Sequence, residues 1–159
     1  TVLTKQFGPF QRYAFILTSA ELEETPLAAN GLCDGCDACI HACPGHALDN
    51  NGKRNDWQCA VYYNGANRSK NPFMPETAYG DFPDRQAIMD GTATFTGMED
   101  AGKVLDASLF YPWIKHSYVA SICGRACDTA CYIHLEEQGK LTRSFHKNFR
   151  IRPEWKLEE

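Results

Sequence analysis

Between Cys33 and Pro44 the chain reads Cys-Asp-Gly-Cys-Asp-Ala-Cys-Ile-His-Ala-Cys-Pro, a C-x2-C-x2-C-x3-C-P run, and no other stretch limits its fold as strongly. Three thiolates at two-residue intervals can wrap one face of a cubic 4Fe-4S cluster. The fourth, followed by a chain-turning proline, points toward a second cluster. Two such clusters need eight thiolates, and the chain has eight cysteines: Cys33, Cys36, Cys39, Cys43, Cys59, Cys123, Cys127 and Cys131. The count closes with none left over.

Other uses of cysteine fit less well. A tetrahedral zinc site draws on paired C-x2-C arms, and three cysteines at consecutive two-residue intervals match that geometry poorly. Disulfide scaffolds are short and cysteine-dense, whereas eight cysteines in 159 residues is a moderate density in a chain long enough to build a core. The formal net charge of -4 and pI near 5.7 argue against nucleic acid as a partner, because phosphate binding draws on clustered positive charge. No apolar run approaches membrane-spanning length, so no transmembrane segment is expected. The chain begins at Thr1 and shows no signal-peptide pattern; it reads as a piece of something longer, with the cytoplasm favoured over export.

Along the chain, Arg12 to Ser19 is apolar, aromatic and β-branched, which predicts a buried strand of the core sheet. Glu21, Glu23 and Glu24 follow as an acidic solvated face. After Pro44, Gly45 to Leu48 reads as a strand-like exit into the turn Asp49-Asn50-Asn51-Gly52. His41 and His46 flank the cluster loop, where they could donate hydrogen bonds; imidazole ligation is the exception among such clusters. Cys59 lies within Trp57-Gln58-Cys59-Ala60-Val61-Tyr62-Tyr63. A lone cysteine is usually a core thiol, but the count to eight makes Cys59 a ligand.

Residues 64–120 hold no cysteine and read as an insertion, loop in its first half. Thr96-Gly97-Met98-Glu99 then has the form of a capping box, with Met98, Ala101, Leu105 and Leu109 on one helical face. Tyr111-Pro112-Trp113 is expected to close that helix. Cys123, Cys127 and Cys131 follow at C-x3-C-x3-C spacing, one helical turn per step. Gly139 is a helix stop. Lys140, Arg143, Lys147, Arg150 and Arg152 make a basic stretch, solvated or able to dock an acidic partner.

The order of these motifs resembles the iron-sulfur part of reductive dehalogenases and the related epoxyqueuosine reductases. The resemblance covers residues 8–63 and 122–131. Gly8-Pro9-Phe10-Gln11-Arg12 with Tyr13 to Ser19 is similar to the segment leading from their corrinoid-binding domain into the cluster region, and Arg54-Asn55-Asp56-Trp57 with Cys59 and Tyr62-Tyr63 looks more like the dehalogenase branch. By that resemblance Cys33, Cys36, Cys39 and Cys131 hold one cluster, and Cys43, Cys59, Cys123 and Cys127 the other, passing single electrons to a cobalamin. Three features depart from the family pattern: an extra residue between Cys123 and Cys127, Tyr132 where a proline normally follows the last cysteine, and the long insertion. The chain also lacks a corrinoid-binding domain.

The expected architecture is α+β, a single dicluster ferredoxin-like domain over 1–159. Residues 1–32 form a lead-in strand and loop, 33–63 the first cluster motif with Cys59, 64–120 a partly helical insertion, and 121–159 the closing motif and tail. The expected function is one-electron transfer through two 4Fe-4S clusters, as the delivery module of a corrinoid enzyme. A free-standing ferredoxin-like carrier between redox partners and a structural cluster protein are the alternatives. Corrinoid would come only from a missing domain or partner, and no catalysis is expected from this chain alone.

Overall fold

A computed structural model of the chain describes residues 2–26, 31–108 and 122–144. Among them are the helices α1 (Ala38–His41), α2 (Asp56–Tyr63), α3 (Arg85–Asp90), α4 (Met98–Ala107) and α5 (Ala126–Glu137), with one 3-10 turn at Arg68–Lys70. Only two isolated antiparallel bridges occur among the described residues, Thr4 with Gly8 and Leu48 with Arg54. The chain divides into two compact units, Thr1–Cys36 with Cys131–Glu159, and Asp37–Ala130; the division falls inside α5.

The core of the second unit is built mostly from the insertion, joined by Val61 and Tyr62 of α2. Val61, Tyr62, Ala66, Met74, Ala78, Tyr79, Ile88, Met89, Phe95, Ala101 and Val104 form one buried apolar cluster, in which α2 packs on α4. Residues 64–95, expected to be largely loop, thus carry much of the unit's packing. Their apolar side chains are spaced by prolines, glycines and asparagines, so they show no helical or strand period and are gathered by turns instead.

Polar side chains then fasten this core to the chain just after Cys43. Gln58, only 5% exposed, donates from Nε2 to the carbonyls of Gly45 (2.8 Å) and Ala93 (2.7 Å), and its Oε1 accepts from the Phe95 amide (2.7 Å). Asn67 Nδ2 donates to the Pro44 carbonyl at 2.9 Å. Gly91 and Gly45 are needed for the same approach. A Cβ on Gly91, at φ +82°, would stand 2.2 Å from the Pro44 carbonyl oxygen, and one on Gly45 would stand 1.9 Å from the Tyr62 ring. Buried backbone polar groups of the cluster loop are thereby paired rather than orphaned.

Helix α2 begins where Asn55 caps it, its Oδ1 accepting from the Trp57 and Gln58 amides at 3.1 Å. The strand-like exit after Pro44 appears as the Leu48–Arg54 bridge around a turn in which Asp49 Oδ1 accepts from the Asn51 and Lys53 amides. Helix α4 forms, but its cap is Gly97 with no side-chain bond, so the capping box does not close on Thr96. Its buried side is Ala101 and Val104 with Leu105 packed alongside, while Met98 is 69% exposed. Leu109 and the expected closure at Tyr111-Pro112-Trp113 lie outside the described residues.

In the first unit, reciprocal hydrogen bonds between Thr4 and Gly8 close a tight turn. Phe10 meets Tyr132 with ring centroids 5.7 Å apart, and a Cβ on Gly8, at φ +56°, would be 3.2 Å from the Tyr132 ring. Leu135 and Pro9 are fully buried. The chain after α5 returns along the turn, the Thr142 amide donating to the Lys5 carbonyl (2.8 Å) and the Tyr132 hydroxyl to that of Arg143 (3.1 Å). Tyr132 therefore sits in the helix interior as a core residue, a position where proline would break the helix.

The run Arg12 to Ser19 is neither a strand nor buried: every residue from 12 to 26 is exposed. Its apolar pattern asks for a covering layer on both faces, and no described part of the chain supplies one.

Candidate metal centre

All eight cysteines lie in described residues, and none is in a disulfide. The second unit holds four of them on three stretches of sequence: Cys43 at the end of the cluster loop, Cys59 on α2, Cys123 in the turn before α5, and Cys127 in its first turn. Cys59 is close enough to Cys123 and Cys43 for their charges to raise its pKa, although burial is the larger cause. Burial likewise pushes the Cys127 thiol up to about 12, with Asp128, Cys43 and Cys123 adding to it. Thiolates within range of one another's charge repel, and a polycationic metal centre is what would favour their anionic form. The donor set therefore fits the sulfur ligation that a 4Fe-4S cluster requires.

The surroundings of this set come from the exit of the cluster loop, from α2 and the insertion, and from the turn before α5. The Ala47 amide donates to Cys43 Sγ at 3.3 Å, a bond that favours negative charge on sulfur. Gln58 and Asn67 hold the carbonyls of Gly45 and Pro44, the two residues that follow Cys43. Arg54, paired with Asp56 at 2.6 Å, lies near enough to Cys59 and Cys127 to favour their thiolates. Cys123 leaves the helix axis through Gly124 and Arg125, both at positive φ, and the Ile122 amide donates to the Tyr63 carbonyl (2.9 Å), tying the third stretch to the end of α2. Arg125 closes an ion pair with Asp128 across the first turn of α5.

The other four cysteines are divided. Cys33, Cys36 and Cys131 belong to the first unit and Cys39, on α1, to the second. Cys33 and Cys36 are exposed and Cys131 half-buried. Asp34, between the two exposed cysteines, accepts from Lys140 Nζ (2.8 Å) and from His134 Nε2 (2.8 Å to Oδ2, 3.1 Å to Oδ1). Those bonds, Lys140 first, hold its carboxyl well below the usual carboxylate range. The ligand atoms of Asp34, Cys36 and His134 lie within 4.8 Å of one another, so the imidazole stands beside a cysteine of the loop.

His134 is the residue that sequence reasoning missed. It follows Cys131 by three positions and so shares its helix face, which is the one signal that could have found it. His41 and His46 are exposed, and among the described residues neither ring hydrogen-bonds a thiol. Within the basic stretch, Lys140 is engaged with Asp34 and Arg143 lies over the Phe7 ring at 5.5 Å; Lys147, Arg150 and Arg152 fall outside the described residues. No helix among the described residues is long and apolar enough to cross a membrane. The chain matches no protein-family model, no curated protein and no solved structure.

Proposed function

We propose that this chain is a one-electron transfer module holding two 4Fe-4S clusters in an α+β, dicluster ferredoxin-like arrangement, with Cys33, Cys36, Cys39 and Cys131 ligating one and Cys43, Cys59, Cys123 and Cys127 the other. The observation that carries the reading is the convergence of Cys43, Cys59, Cys123 and Cys127 within one unit. Three stretches far apart in sequence bring Cys43 and Cys123 into electrostatic range of both Cys59 and Cys127, which supports the grouping that the resemblance implies. When bound, such clusters supply one-electron redox chemistry at potentials set by charge, hydrogen bonds to sulfur and exposure.

The chain's own residues ligate, orient and insulate. Gln58, Asn67 and Gly91 fix the backbone after Cys43, the Ala47 amide bonds its sulfur, and Val61 and Tyr62 of the helix that carries Cys59 anchor that helix in the apolar cluster. Lys140 and His134 secure the loop that carries Cys33 and Cys36 through Asp34.

The motif order further supports delivery of electrons to a corrinoid enzyme of the reductive dehalogenase and epoxyqueuosine reductase kind. The corrinoid would be held by a separate domain or partner, and reduction potentials would be on the order of -400 mV. The test is Cys59→Ala in anaerobically reconstituted protein. Loss of one of four thiolates should abolish the second cluster or convert it to a three-iron form while the first cluster's EPR signal persists. Full iron content with an unchanged two-cluster spectrum would make Cys59 a plain core thiol and defeat the assignment.

A further inference from the structure

Besides the two cysteine sets, the described residues gather one mixed group of metal-ligating side chains: the Asp34 carboxylate, the Cys36 thiol and the His134 imidazole. Their ligand atoms lie within 4.8 Å of one another. All three residues belong to the first unit, and Asp34 and His134 come from stretches 100 residues apart.

We infer that Asp34, Cys36 and His134 form a site for a single divalent transition-metal ion of the zinc class, held by one oxygen, one sulfur and one nitrogen, with water in the fourth position. This donor mixture suits a borderline ion such as zinc. Magnesium and calcium take oxygen ligands instead. Three protein ligands leave a tetrahedral ion one open position, so the ion would stay exchangeable rather than locked in.

The geometry is close to what such an ion needs. His134 Nε2 stands 3.1 Å from Asp34 Oδ1 and 2.8 Å from Oδ2. Nitrogen and oxygen ligands of a tetrahedral ion lie about 3.3 Å apart, so the edge from Nε2 to Oδ1 is nearly set, the ion replacing the hydrogen between them. Lys140 Nζ donates to Oδ2 at 2.8 Å, which leaves Oδ1 to the ion and orients the carboxylate as an outer partner does. His134 stands on α5 next to Leu135, which is fully buried, so the helix that carries it is anchored. Two ligands are thus positioned before the ion arrives. Cys36 is the one that moves: its sulfur would close in by at most roughly 1.3 Å, and its exposed side chain has room to do so. An ion pair would need only Asp34, His134 and Lys140. The thiol beside them is what makes a chelate.

The ion site stands on this geometry alone. That it excludes the first cluster, by occupying Cys36, rests on the cluster reading.

The test gives the reduced, metal-free full chain two equivalents of 113Cd2+ in the absence of iron, so its outcome does not depend on the cluster assignment. Cadmium NMR separates sites by their sulfur ligands, a one-sulfur site resonating well upfield of a four-sulfur one. The wild-type chain should show a one-sulfur resonance. His134→Gln and Cys36→Ser should each remove it, with at least a tenfold loss of affinity at that site, while Cys131→Ser should keep it. Because His134 also binds Asp34 in the fold, Cys36→Ser at an exposed position, with circular dichroism unchanged, separates a lost ligand from lost folding. Four-sulfur resonances alone in the wild-type chain, survival of the one-sulfur resonance in His134→Gln, or its loss in a folded Cys131→Ser chain would each overturn the inference.

Discussion

Replacing Gln58 by leucine removes three hydrogen bonds at once while keeping the side-chain volume close to the original. The Gly45 and Ala93 carbonyls and the Phe95 amide lose their partner, and Gly45 and Phe95 are buried, where water replaces a bond poorly. At about 1 kcal/mol net for each bond, the loss should come to about 3 kcal/mol, more if the Phe95 amide stays unpaired. That is a large fraction of an ordinary stability of about 5–15 kcal/mol. Urea denaturation followed by circular dichroism reads it directly, as a lowered midpoint with little change in slope. A Gln58→Glu variant sharpens the reasoning. It keeps an acceptor for the Phe95 amide but turns a carboxylate toward two carbonyls, and both burial and those oxygens raise its pKa above the unfolded value of about 4.3. The variant's deficit should therefore be greatest above that raised value and shrink as pH falls toward 4.3. If Gln58→Leu cost less than about 1 kcal/mol, the three bonds would be replaceable by water and would not be what holds the loop after Cys43.

Gly91→Ala should destabilise the second unit and lower its iron content, since the new Cβ meets the Pro44 carbonyl at 2.2 Å and the backbone sits at φ +82°; thermal melts and iron assays of the variant check both. Tyr62 has a buried hydroxyl with no partner among the described residues, so Tyr62→Phe should be neutral or stabilising by up to ~1 kcal/mol in the same denaturation assay. Burial raises the Tyr62 phenol above its ordinary value of 10.0. The unfolded chain ionises there first, so stability should fall as pH climbs past 10.0, and Tyr62→Phe should flatten that slope. In metal-free protein at pH 8, iodoacetamide should modify the exposed Cys33 and Cys36 well before Cys127, whose thiol is pushed up to about 12; peptide mass spectrometry gives the order, and early labelling of Cys127 would contradict its burial.

How far the sequence could be read depended on whether the information was local. The cysteine spacing is local, and so is the hairpin turn after Leu48, where Asp49 and Gly52 carry their own turn chemistry. Helix α4 was visible in its period, yet its cap was misplaced by one residue because Thr96 and Gly97 both qualify and only packing chooses. The insertion looked like loop because its cohesion is nonlocal: Gln58 reaches Phe95, and Asn67 reaches Pro44, across separations no periodicity records. His134 escaped notice for the same reason, its partner Asp34 being 100 residues away. The run from Arg12 to Ser19 was read as a buried strand because it is apolar, aromatic and β-branched, but a pattern states what a segment would bury, not whether the same chain covers it.

The most direct test of the cluster assignment is metal content. Anaerobically reconstituted wild-type protein, assayed for iron, acid-labile sulfide and zinc, should hold about eight iron and about eight sulfide per chain, with EPR of two 4Fe-4S centres after dithionite reduction. About four of each, or zinc in place of iron, would contradict it.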